Sequence, residues 1–245
     1  MNMSADVLLL SLIWAVPMLG ALLVLLVPRR QEQAIRITAL VVTLVTFALT
    51  LALFPLYLGL PAGQSGSVAS LAERAAANTL TAPDPISPAT VAHDAPFDLV
   101  VRQAWVPAAN IQYFLGVDGI SLSLLVLTGL ISVLACLASF GIDRHVQGYF
   151  ALFLLLVGSM MGVFLALDLV LFFVFFEVML LPMYFLIAIW GGENREYAAI
   201  KFLLYTLSGS VLILVAALLL YFWTSATEPA LHTFDALLLT ARSAH

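Results

Sequence analysis

Asp168–Trp190 reads DLVLFFVFFEVMLLPMYFLIAIW, an apolar run of bilayer-spanning length with one acid, Glu177, near its centre. About 20 apolar residues suffice for a helix to cross the hydrocarbon core of a membrane. A carboxylic acid placed at that depth costs on the order of 2.5–3.5 kcal/mol on insertion scales, so it calls for a reason. Pro182 follows five residues later, and without an N–H it leaves the carbonyl of Val178 without its helical donor. An acid beside a weakened turn, set among phenylalanines, points to a proton-handling site.

Working outward, the same apolar character repeats. The chain has 245 residues, 63% hydrophobic and 9% charged, with a mean hydropathy of +1.11. A soluble domain would carry roughly 25% charged residues, so the chain reads as an all-α polytopic membrane protein. Six stretches have spanning length: Val7–Val27, Ile37–Tyr57, Gly119–Phe140, Gly148–Leu167, Leu169–Trp190 and Tyr197–Trp223. They divide the chain into helices 1–2 (1–57), an extracytoplasmic loop (58–118), helices 3–6 (119–223) and an outer-surface tail (224–245). The N-terminal run lacks a preceding cationic segment and a small-residue cleavage site, so it is expected to be a retained first span and not a signal peptide. Arg29, Arg30, Arg36, Arg144, Arg195 and Lys201 fall on one side, and Arg74, Arg102 and Arg242 on the other. The positive-inside rule then places the N-terminus outside.

The loop holds six of the eleven prolines. Its first part, 62–93, has the composition of a flexible insertion. The part from Phe97 mixes aromatic, apolar and turn residues and is expected to pack on the outer surface and lead into span three. Asp118 and Asp168 each precede an apolar run and are expected to be N-caps. Gly158 and Gly162 have the spacing that lets two membrane helices approach closely. Leu231–Arg242 could form a short surface helix.

Few residues can carry chemistry. Cys136 is the sole cysteine, and His93, His145, His232 and His245 are scattered; this excludes a self-contained zinc or iron–sulfur cluster. No phosphate-cradling glycine loop, nucleotide fingerprint or nucleophile–base pairing is present, and without a basic patch nucleic acid is not an expected partner. Glu177 has two readings, a packing acid bonded to a neighbouring helix or a protonatable relay facing the bundle interior. Desolvation disfavours the charged form of such an acid and a nearby cation favours it, so a site balanced between the two can change protonation when a neighbouring charge moves. Lys201 is the obvious cation. At 1.5 Å per residue Glu177 lies about 20 Å from the Trp190 end of its helix and Lys201 about 6 Å from that surface, so the two differ in depth by about 14 Å. Lys201 therefore reads either as a side chain snorkelling to the interface or as the guard of a water-filled cytoplasmic route towards Glu177.

FFEVMLLPMYFLIAIWGG (175–192), EYAAIKFLLYTLSGSVLIL (196–214) and YFLGVDGISLSLLVLT (113–128) closely resemble subunit M of bacterial NADH–quinone oxidoreductase. This is chain 4 of respiratory complex I, of the antiporter-like family. The resemblance implies the N-terminal part of an antiporter-like bundle of about fourteen helices with inverted repeats and broken helices. It implies a proton-translocating membrane-arm subunit without a redox centre of its own. NADH, flavin, iron–sulfur clusters and quinone would sit on other subunits, its partners in the lipid bilayer of the bacterial inner membrane. Glu177 matches the family's relay glutamate, which there is coupled to a lysine on a seventh span and not to the lysine at the position of Lys201. Because the sequence stops after span six, a fragment is expected. A multisubunit cation/proton antiporter, a membrane-bound hydrogenase and a purely structural membrane scaffold stand as alternatives.

Overall fold

A computed structural model describes residues 3–58, 99–106, 111–227, 234–236 and 239. The 62–93 insertion, His93, His232, His245, Arg74 and most of Leu231–Arg242 lie outside them. The helices are α1 (Met3–Leu26), α2 (Glu32–Leu58), α3 (Gly119–Ala138), α4 (Val146–Leu165), α5 (Leu169–Trp190) and α6 (Arg195–Thr227); a 3-10 turn, Ser139–Gly141, closes α3. Among the described residues these six are long and apolar enough to cross a membrane. The protein is a multipass membrane protein.

Each boundary has a local cause. Asp118 accepts from Ser121 N at 2.7 Å while the Ser121 hydroxyl bonds back to Asp118 N at 2.9 Å, a reciprocal cap that starts α3. Asp168 accepts from the N–H groups of Val170 (2.9 Å) and Leu171 (3.1 Å) to start α5. At the far end of the bundle, Gln147 donates to the carbonyls of Val24, Leu25 and Val27, satisfying acceptors that the end of α1 leaves without helical donors. Arg36 reaches Asp143 at 3.1 Å and the carbonyl of Ile142, tying α2 to the α3–α4 turn. The Trp190 indole donates to Arg144 O at 2.7 Å, tying α5 to the same turn.

The central helix is α4, which packs against α1, α2, α3 and α5, while α6 packs against α5. The glycine spacing does what the sequence suggested, with two different neighbours. A Cβ on Gly158 would stand 2.9 Å from Trp14 O and 3.2 Å from Met18 N, both backbone atoms of α1; Gly162 lies under the ring of Phe175 on α5. Backbone cannot yield as a side chain can, so Gly158→Val should destabilise the purified chain by about 1–3 kcal/mol. The unfolding temperature, read with a thiol-reactive fluorophore on buried Cys136, checks this. Gly209→Ala on α6, where nothing lies within 4 Å, should be neutral or slightly stabilising, since alanine suits a helix interior better than glycine.

The segment before α3, expected to pack on the surface and lead into the third span, forms a strand pair. Leu99–Val106 (β1) and Ile111–Val117 (β2) pair antiparallel, from Leu99 opposite Val117 to Ala104 opposite Gln112, with an irregularity between Ala104 and Val106. β-Branched and aromatic residues suit a half-buried pleated surface, and β2 buries Gln112, Phe114, Leu115 and Val117. The hairpin rests on the extended link between α4 and α5: Leu115 bridges Ala166, and Leu167 N donates to Phe114 O at 2.9 Å. Residues 234–236 flank the same link, with Leu169 N donating to Phe234 O and Ala236 N to Leu167 O. A small layer of extended chain thus covers one end of the helices, and the described arginine contacts gather at the other.

Candidate proton-relay site

Glu177 sits eight residues into α5, about 12 Å from its first residue at 1.5 Å per residue. It is half-buried, and its Oε1 is buried with no hydrogen-bond partner. Such an orphan costs free energy in a dry interior unless a proton or another polar group completes it. One turn on, Pro182 is itself buried and removes the donor for Val178 O. Among the described residues no hydrogen-bond partner stands at Oε1.

Lys201 stands elsewhere. It lies on an exposed face of α6 with its Nζ 5.6 Å from the ring centroid of Tyr197 and 5.9 Å from that of Tyr205, one turn to either side. Rings at that range attract a cation electrostatically, which explains how an ammonium is held on so apolar a helix. The structure does not bring Lys201 to Glu177. Because α6 begins at Arg195, Lys201 is about 9 Å from its start, leaving about 11 Å of depth between the two residues.

Two features escaped sequence reasoning. Asp168 does more than cap α5: its second oxygen accepts from Gln112 N on β2 at 3.1 Å. Asp168 is 1% exposed, and it forms a backbone bridge with Asp235, itself 3% exposed. Burial pushes the Asp168 carboxyl above the usual range; the three N–H groups that bond it pull back down, and the charge of Asp235 adds to the rise. No local pattern pairs these two acids, because they meet only through the chain's return to this end. The second feature is Tyr113, whose hydroxyl accepts from the Trp14 indole at 3.0 Å and pairs with the Ser11 hydroxyl at 2.9 Å, fastening the hairpin to α1.

Residues 97–168 match the profile described as NADH-ubiquinone oxidoreductase chain 4, amino terminus. Residues 166–243 match the profile of the NADH:quinone oxidoreductase/Mrp antiporter transmembrane family. The chain belongs to the chain 4 family of NADH-quinone oxidoreductase. Within that family, NAD(P)H-quinone oxidoreductase chain 4 3 of Picosynechococcus sp. is 36% identical over 211 residues, 86% of this chain and 32% of the relative. Chain 4 1 of Nostoc sp. is 35% identical over 213 residues, 87% of this chain and 34% of the relative. A chain of respiratory complex I from Thermus thermophilus superposes with a TM-score of 0.65 at 27% identity, covering 95% of this chain and 39% of that one. The Mrp complex from Dietzia sp. shares the fold, with a TM-score of 0.55 at 23% identity over 90% of this chain and 20% of that one. This member of the chain 4 family spans about a third of the length of the two curated relatives above.

Proposed function

We propose that the chain serves as a proton-translocating membrane-arm subunit of an NADH-quinone oxidoreductase, with Glu177 as a buried relay residue. The observation that carries this is the unpartnered Oε1 of Glu177 inside a spanning helix. An acid there can take a proton from one side and pass it on when a neighbouring charge changes, and intramembrane acids commonly line such paths. The family resemblance assigns the coupled charge to a lysine on a seventh span. Lys201, held by Tyr197 and Tyr205, serves the interface. NADH oxidation and quinone reduction, with their flavin and iron–sulfur centres, belong to partner subunits. The gathering of Arg29, Arg36, Arg144 and Arg195 at the end away from the hairpin supports a cytoplasmic assignment for that end. The N-terminus then lies outside a bacterial inner membrane.

A cation/proton antiporter subunit or a membrane-bound hydrogenase subunit would use the same glutamate helix. The match of residues 97–168 to a chain 4 profile favours the quinone-linked complex. The test is NADH-driven proton uptake by inverted membrane vesicles carrying the complete complex with Glu177→Gln. Loss of uptake with assembly intact supports the relay, and undiminished uptake rejects it. Lys201→Met in the same assay should retain most of the uptake, because a cation that snorkels to the surface is not in the relay.

A further inference from the structure

Phe175 stands two residues before Glu177 on α5, and it is buried. Two contacts hold its ring. At Gly162 of α4 a Cβ would overlap the ring atoms Cγ, Cδ1 and Cε1, so the ring occupies the space that the glycine leaves open. The Trp14 ring of α1 meets it edge to face, 5.2 Å between centroids, an arrangement that aromatic rings favour. Trp14 is itself fixed, because its indole donates to the Tyr113 hydroxyl and that hydroxyl pairs with Ser11. In a close-packed interior such a ring cannot turn unless its neighbours move too.

Helix geometry carries the consequence to Glu177. At 3.6 residues per turn, about 100° each, Glu177 projects about 200° round α5 from Phe175, away from the face that meets α1 and α4. The burial pattern agrees. Leu171, Phe175 and Pro182 are buried and lie within about 40° of one another round the helix. Val174 and Leu181 are exposed, and they lie about 100° and 120° from Phe175. The seat of one ring thus sets where the acid points. A 20° turn of α5 moves a group about 6 Å from the axis by about 2 Å. Misplacing a reacting group by about 1 Å can cost roughly a hundredfold in rate.

We propose that Phe175, seated on Gly162 and braced by Trp14, is a positioning residue for Glu177, a role in translocation that rests on the reading of Glu177 as the relay. The ring touches no proton. It fixes the rotation of α5 and so the direction of the carboxyl.

The test labels the chain in lipid vesicles with dicyclohexylcarbodiimide, an apolar reagent that adds to protonated carboxyls, and follows the peptide carrying residue 177 by mass spectrometry. Gly162→Ala puts a methyl group in the ring's seat and should change the labelling rate of Glu177 by roughly threefold or more. Adding Phe175→Leu exchanges ring volume for that methyl and should bring the rate at least half-way back, since volume-conserving exchanges are the best tolerated. Phe175→Leu alone serves where Gly162→Ala does not fold, as judged by the melting of the Cys136 probe, and it should change the rate by a similar factor. A ring that only packs would move the melting temperature and leave the labelling rate alone. An unchanged rate in a folded single variant overturns the proposal, as does a change that the double variant leaves in full. Undiminished proton uptake in Glu177→Gln would reject the relay without altering these labelling rates, so the two failures are told apart.

Discussion

Asp168→Ala should lower the unfolding temperature of the purified chain by about 6–12 °C, taking about 3 kcal/mol for three lost bonds and 2–4 °C per kcal/mol for a chain of this size. The carboxylate accepts from Val170 N and Leu171 N through one oxygen and from Gln112 N through the other. Truncation leaves all three donors without their acceptor at a site where the side chain is almost wholly buried. It also frees the α5 N-terminus from the hairpin. Asp168→Asn should cost far less: it keeps one acceptor oxygen, turns an amide donor against one of the N–H groups, and removes a negative charge facing Asp235.

The two variants also differ with pH. The folded-state pKa of Asp168 is raised, chiefly by burial, so the folded chain holds this proton more tightly than the unfolded one. That contribution is fully present below the ordinary aspartate value and is lost as pH rises through the raised folded value. On acidification through that window the unsubstituted chain should therefore gain stability relative to Asp168→Asn. Melting curves of both chains from neutral to mildly acid pH read the difference directly, and a relative loss for the unsubstituted chain would falsify the assignment.

Asp168 also shows what could and could not be read from the sequence. Its capping role was legible because an acid before a long apolar run has one obvious local use, and the same holds for Asp118. The spans were legible because a membrane imposes length and composition on every helix that crosses it. Gly158 and Gly162 were legible as packing residues, though not that one serves α1 and the other α5. The hairpin was not legible, because β1 and β2 lie against protein on one side and their apolar and polar residues do not alternate strictly. The meeting of Asp168 with Asp235, and of Trp14 and Ser11 with Tyr113, depends on long-range chain return, which no local pattern encodes. At the candidate site the acid itself stood out, since a lone carboxylate in a spanning helix is costly wherever it points. The arithmetic of helix rise separated it from Lys201, and the ring contacts of Lys201 supply the reason that cation sits where it does.

Glu177→Gln should reduce NADH-driven proton translocation by the complete complex at least tenfold, equivalent to about 1.4 kcal/mol or more on the barrier. Glutamine has the size and shape of the protonated acid and can donate and accept hydrogen bonds, so it preserves packing. What it cannot do is release a proton. A purely structural glutamate would therefore tolerate this change, and a relay glutamate would not. Glu177→Asp keeps the proton but draws it back by one methylene, and should retain part of the activity. Glu177→Leu separates the remaining possibilities: with no polar atom at the Oε1 position, the orphaned acceptor disappears and assembly should be unimpaired or improved. The decisive comparison normalises proton uptake to the amount of assembled complex in each membrane preparation. Assembly preserved with translocation lost in both Gln and Leu identifies Glu177 as a proton carrier. Translocation maintained in Glu177→Gln at normal complex content removes it from the relay and leaves the acid as a packing residue.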